Sequence, residues 1–213
     1  MLFSTAYFPS IPWFSLFLFD SQPQLEFCEH YVKQTYRNRC KIYSANGMLD
    51  LVVPVKREEG KIEIRSVRVS YEIPWQKQHA KALESAYRRS PFYEFYMDDL
   101  QWIFSTRETF LFDLNEKILH AFSGMLGLSL SWSYSTRYRK VQETEEMDLR
   151  SAIHPKHPAS LVPGYKSPVY DQVFQQARGF IPDLSILDLL FHCGPETLSI
   201  LRTSVSPGMG KIL

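Results

Sequence analysis

Residues 1–29 read MLFSTAYFPSIPWFSLFLFDSQPQLEFCE, and this stretch decides the fold class. Met1 to Phe8 has the length and apolar character of a short buried strand, and Pro9 stops it. Ser10 stands where a helix N-cap belongs, with Trp13 at the third helical position. Pro12 is tolerated there because first-turn amides have no intrahelical partner. Ile11 to Phe19 is apolar nearly all round, the mark of an interior helix. It falls well short of the ~18 to 20 residues that span a bilayer. It also has no basic leader and no small-residue cleavage site. Gln24 to Glu29 reads as a second strand. Strand, helix and strand in this order form a β–α–β unit, with parallel strands and a right-handed crossover.

Outward from that unit, Arg39 to Ser44 has strand character, and Asn46-Gly47 is a two-residue hairpin signal. Leu49 to Lys56 is the expected partner strand, held to an edge or an end by Pro54. Lys61 to Val69 alternates with one slip of phase, as a bulged strand would. The period then turns helical. Pro74 opens a helix whose inner face carries Trp75, His79, Leu83 and Ala86 or Tyr87. Phe92 to Phe104 and Thr109 to Leu126 follow as two more helices, the last stopped by Gly127. Ser129 to Ser135 alternates and reads as a strand. Residues 138–164 form a long polar loop containing Glu143, Glu145, Glu146, Asp148 and the run HPKHP. Tyr165 to Gln176 ends in a short helix that Gly179 terminates. Ser185 and Asp188 have the spacing of a capping box, and Glu196 to Leu201 is a last helix. Residues 205–213 read as a frayed tail. The expectation is a single layered α/β domain over 1–204, with a mixed sheet, a Rossmann-like β–α–β start, an antiparallel hairpin and a helical layer over 74–127.

Composition excludes several classes. With 24 Lys and Arg against 23 Asp and Glu the net charge is +1, so there is no global basic field for nucleic acid. Hydrophobic residues are 45% of the chain, which excludes disorder. Cys28, Cys40 and Cys193 are too few for a disulfide framework, and the odd count points to a reducing cytoplasm. No CxxC pair and no metal-binding histidine spacing occur, so no metal is expected and no cofactor is identified.

The candidate site lies in HYVKQTYRNRCKI, residues 30–42. Arg37, Arg39 and Lys41 alternate and would share one face of a strand, with Tyr36 nearby and Asn38 as a short polar probe. Such a set fits phosphate or carboxylate groups at a strand end. A solvated hairpin face is the plainer alternative. Glu29-His30 sets a carboxylate beside a histidine, with His30 as a candidate general base. Tyr7, Tyr170, Asp171 and Gln172 complete the substrate-binding set, as rings that stack on sugars and groups that bond hydroxyls. Asp188 and His192 are spaced to support one another behind the site, or to serve only as helix-terminal residues. A thiol mechanism at Cys28 or Cys40 ranks below inert burial.

Six phrases in order, STAYFPSIPW (4–13), HYVKQTYRNRCKI (30–42), IPWQKQHAKALESAYRRSPFYEFY (73–96), DLRSAIHPK (148–156), SPVYDQVF (167–174) and GFIPDLSILDLLFHCGPE (179–196), resemble the WbqC-like family in its shorter form. Many longer relatives begin with a His-Gln-Pro run; here those places read Phe3-Ser4-Thr5. The resemblance implies a role in making or decorating O-antigen and related surface glycans. With it, the expected reaction is acyl or aminoacyl transfer onto an amino sugar or sugar nucleotide. An anionic donor, either an activated acyl group or a sugar nucleotide, would sit against Arg37, Arg39 and Lys41, roofed by the polar loop. Two alternatives stay open. One is a non-catalytic partner of glycan-assembly enzymes. The other is a Rossmann-like nucleotidyl transferase, ranked lower because no glycine-rich phosphate loop or His-x-Gly-His occurs.

Overall fold

The computed structural model describes residues 1–140 and 147–206. Its start is a β–α–β unit: β1 (Leu2–Ser4), α1 (Ile11–Phe19) and β2 (Gln24–Glu26). The two strands are parallel, with Leu2 opposite Gln24 and Ser4 opposite Glu26. A third parallel strand, β5 (Ser133–Tyr134), adds to the far side of β2. Strands of two or three residues make a small parallel sheet, which does not establish the expected Rossmann-like start.

Residues Ile11 to Phe17 of α1 are all buried. The ring of Phe3 meets Trp13 and Phe17 edge-on, each at 5.3 Å, and Trp13 stacks on Phe17 at 4.7 Å. The Trp13 indole N–H donates to the Ser4 carbonyl at 3.0 Å, tying helix to strand. The expected Ser10 cap is not made: its side chain caps no amide of the helix. Pro12 has removed one donor, and the Ile11 amide donates to Leu184 at 2.9 Å from the far end of the chain.

The hairpin pairs β3 (Arg39–Ser44) with β4 (Gly47–Val52), from Arg39 opposite Val52 to Ser44 opposite Gly47. Its turn needs glycine, since Gly47 has φ +104°. β4 therefore starts and ends earlier than the expected Leu49 to Lys56. The expected strand over Lys61 to Val69 is replaced by a 3-10 turn at Ile64–Ser66, with an isolated bridge from Glu63 to His30 before it and bridges from Arg68 to Phe110 and Val69 to Val55 after it. That turn is the cause of the phase slip, because it lets Ile64 and Val67 both bury.

The helical layer is α2 (Trp75–Tyr87), α3 (Tyr93–Ser105) and α4 (Leu111–Met125). Trp75, His79, Leu83, Ala86 and Tyr87 of α2 are buried, the face that the periodicity requires. Gly127 follows α4 at φ +64°. Only Ser133–Tyr134 of the alternating stretch 129–135 pairs, because β2 offers it just Gln24 and Leu25. The chain closes with α5 (Gln175–Arg178), α6 (Ile186–Cys193) and α7 (Thr197–Thr203). The Ser185 hydroxyl accepts from the Leu187 amide, so the cap forms, but the reciprocal half of the box does not. The Ser185 amide is taken by the Lys41 carbonyl at 2.8 Å, which frees Asp188 to turn inward. Buried residues from Phe3 to Val205 belong to one hydrophobic cluster. The acidic run Glu143, Glu145, Glu146 and most of the expected tail lie outside the described residues.

Candidate functional site

A cleft of about 560 Å³ opens where residues 30–39 face residues 55–67. Backbone pairing builds its walls. The Tyr31 amide donates to Ile62 and the Ile64 amide to Glu29, both at 2.8 Å, with His30 bridging Glu63 between them. On the other side the Val53 amide donates to Asn38 at 2.8 Å. Lys33, Arg39, Lys56, Arg57 and Lys61 line the cleft against one carboxylate, Glu58. His30 lines it too, while Val55, Ile62 and Val67 supply apolar surface. Burial pushes the Tyr31 phenol up to about 12, against the pull of Arg39 and Arg37, so it remains a neutral ring in the wall.

Of the expected cations only Arg39 is here. It reaches Asp50 at 3.2 Å across the hairpin. Arg37 precedes β3, in a region of turns, so the alternation that would align it with Arg39 does not reach it. Its guanidinium points inward and grips Glu29, with Nε to Oε1 at 2.8 Å and Nη2 on Oε2. Nη2 also donates to Ser4 at 2.6 Å, and Asn115 donates to the Arg37 carbonyl at 2.8 Å. Arg37 and Glu29 are buried, spent on one another, and neither lines the cleft. Glu29 is thus the partner of Arg37 rather than of its neighbour His30. Lys41 donates to the Pro155 carbonyl at 2.7 Å and is not a lining residue of the cleft. Tyr36 is half-buried, its phenol pushed up by burial and by Asp183. Asn38 does line the cleft, donating to the Val53 carbonyl at 2.8 Å.

Tyr7, Tyr170, Gln172, Asp188 and His192 are packed elsewhere. Tyr7 is wholly buried and its hydroxyl meets His79 Nδ1 at 2.9 Å. Asp188, equally buried, accepts from Tyr170 at 2.6 Å, Tyr87 at 2.8 Å and Gln172 at 3.0 Å. Burial raises its pKa, and His192 and the three donors oppose the rise. His192 Nδ1 lies 2.6 Å from the Asp188 carbonyl, and Nε2 accepts the Val173 amide at 2.9 Å. Both nitrogens are therefore committed to backbone groups. This network fastens α6 to α2 and to residues 170–173. Asp171 is exposed beside it and joins none of these bonds.

Sequence reasoning missed a second buried ionic group, at the carboxyl ends of the parallel strands. Arg150 donates to Glu26 at 2.7 Å and to Asp148 at 3.0 Å, and Glu26 also accepts from the Cys28 amide at 2.9 Å and from Ser135. Ser4 donates to the Arg150 carbonyl at 3.3 Å while accepting from Arg37. A continuous polar chain thus runs Glu29, Arg37, Ser4, Arg150, Glu26 beneath the cleft wall. The Ser4 hydroxyl is consumed in it. The available signal was Glu26, a carboxylate set between the apolar residues Leu25 and Phe27.

Among the described residues the polar loop reaches the cleft through Lys156. Lys156 donates to Gln34 Oε1 at 2.8 Å, and Gln34 is a lining residue. His154 and His157 pack ring to ring at 4.9 Å. Burial first, then His157, Lys156, Arg37 and Lys41, lowers the His154 pKa. Among the described residues no group of three His, Cys, Asp or Glu is placed to hold a metal. Burial raises the thiols of Cys40 and Cys193, the latter to about 12, the direction that disfavours the thiolate. Among the described residues no helix is long and apolar enough to cross a membrane.

No solved structure matches the chain. The protein described as uncharacterized protein Rv1507c of Mycobacterium tuberculosis is 28% identical over 221 aligned positions, covering 90% of this chain and 94% of its own. The family model described as WbqC-like protein family matches residues 5–160 and 161–200. The chain belongs to the WbqC-like protein family.

Proposed function

We propose that this protein works in surface-glycan biosynthesis as an acyl or aminoacyl transferase acting on an amino sugar or sugar nucleotide. The observation that carries the reading is the cationic cleft, with an exposed histidine at its wall, in a chain of this family. Arg39, Lys33, Lys56, Arg57 and Lys61 hold the anionic part of the donor. His30 takes the proton from the acceptor amine or hydroxyl as that atom bonds to the acyl carbon. The bond from the acyl carbon to its leaving group breaks, and the leaving group departs with the electron pair. Arg37 and Glu29 hold the wall from behind and touch no substrate. All three cysteines are free, in keeping with a reducing cytoplasm.

The test is incubation of the protein with amino-sugar acceptors and a panel of acyl and aminoacyl donors, read by mass. A gain of one acyl group on the acceptor, lost in His30→Ala and in Arg39→Ala, supports the reading. No gain with any pair, together with no thermal response to any donor, overturns it in favour of a non-catalytic partner.

A further inference from the structure

The charge and the apolar surface of this cleft narrow its ligand, on the reading that it is the donor site. We infer that it binds a nucleoside diphosphate group, which a sugar nucleotide or a coenzyme A thioester would both present. Five cations, Lys33, Arg39, Lys56, Arg57 and Lys61, line the cleft with Glu58, and Asp50 pairs with Arg39 from outside the lining, leaving a surplus of three positive charges. A lone carboxylate offsets one of these, whereas a diphosphate brings about two to three negative charges. A diphosphate alone has no use for the other lining. Val55, Ile62 and Val67 are apolar, and Tyr31 adds a neutral ring of the kind that stacks on a planar base. The volume of about 560 Å³ suits a ligand of nucleotide size rather than a small anion.

Two unpaired polar atoms add the hydrogen-bonding part. Asn38 is 5% exposed and lines the cleft, and its Oδ1 has no partner. Arg39 Nε is likewise buried without a partner. Buried groups of this kind are costly to leave unmade. A base or ribose donor would satisfy the Asn38 oxygen, and a phosphate oxygen would accept from Arg39 Nε. The cleft therefore offers an acceptor, a donor, an apolar surface and a cationic rim, which is the complement of a nucleoside diphosphate.

The test is calorimetry and thermal denaturation of the full chain with UDP, ADP, coenzyme A, inorganic pyrophosphate and, as carboxylate control, acetate. At least one nucleoside diphosphate is expected to raise the midpoint by roughly 5 °C at about a hundredfold excess over Kd. Pyrophosphate binds more weakly and acetate not at all. The double variant Arg57→Ala/Lys61→Ala, and separately Arg39→Ala, weaken binding at least about tenfold with the unliganded midpoint retained. A response to UDP without coenzyme A identifies a sugar nucleotide; a response to ADP and coenzyme A without UDP identifies the thioester. Absence of any nucleoside diphosphate response, a response the variants leave unchanged, or equal binding of acetate overturns the inference. Nucleotide binding without acyl transfer would leave this site standing and remove the proposed reaction. Transfer without nucleotide binding would do the reverse.

Discussion

Arg37 Nε lies 2.8 Å from Glu29 Oε1, and both side chains are buried beneath the wall that carries His30. The adjacent residue Glu29 is thereby pinned, and its carbonyl receives the Ile64 amide that starts the wall pairing. A charged pair so placed organises the cleft without entering it.

Removing one member strands a buried charge. Arg37→Ala is expected to cost about 3–5 kcal/mol of stability, measured by urea denaturation. Arg39→Ala, at the rim, stays within about 0.5 kcal/mol of the parent. Equal costs at the two arginines would refute the assignment of one to the interior and the other to the cleft.

His30 is exposed, so its loss leaves packing alone. His30→Ala should abolish transfer and hold the unfolding free energy within about 0.5 kcal/mol. A midpoint drop comparable to that of Arg37→Ala would mark it instead as part of the wall.

His79 is buried against Tyr7 and Trp75, and burial lowers its pKa to about 4. The unfolded chain, with an ordinary histidine near 6.5, then binds the proton more readily than the folded one. Stability from this group is complete above the ordinary value and falls as pH drops from there toward 4, by about 3 kcal/mol. His79→Gln removes that part of the acid sensitivity. Identical pH–stability slopes in parent and variant between these limits would contradict it.

Gly194 ends α6 at φ +50°, and a Cβ there would come within 2.5 Å of the Phe92 ring. Phe92 is itself anchored by its amide to the Phe191 carbonyl at 3.0 Å. Gly194→Ala combines a left-handed backbone with a clash, and should cost about 1–3 kcal/mol or more. Trimming the ring in Gly194→Ala/Phe92→Ala relieves only the clash, so the double variant loses less than the sum of the singles.

Elements with strong period or punctuation were legible along the chain. The apolar run 11–19, the α2 face from Trp75 to Tyr87, and the stops at Gly127 and Gly179 depend on neighbours within one or two turns. The stretch 61–69 was misread because its alternation hides a tight turn, and 129–135 because a strand needs a partner of equal length. Arg39, Asn38 and His30 of the candidate set line the cleft; Lys56, Arg57 and Lys61 line it too, and no local pattern singles them out.

The sequence by itself determined the parallel β–α–β start, the hairpin turn and the helical layer, since backbone preference and periodicity are local. Tertiary structure alone decided which charges are spent. Glu26 and Arg150 are separated by 124 positions, and Ser4 and Arg37 by 33. Whether a guanidinium is neutralised inside or left facing a cleft depends on which remote carboxylate the fold delivers to it, and no local pattern records that distance.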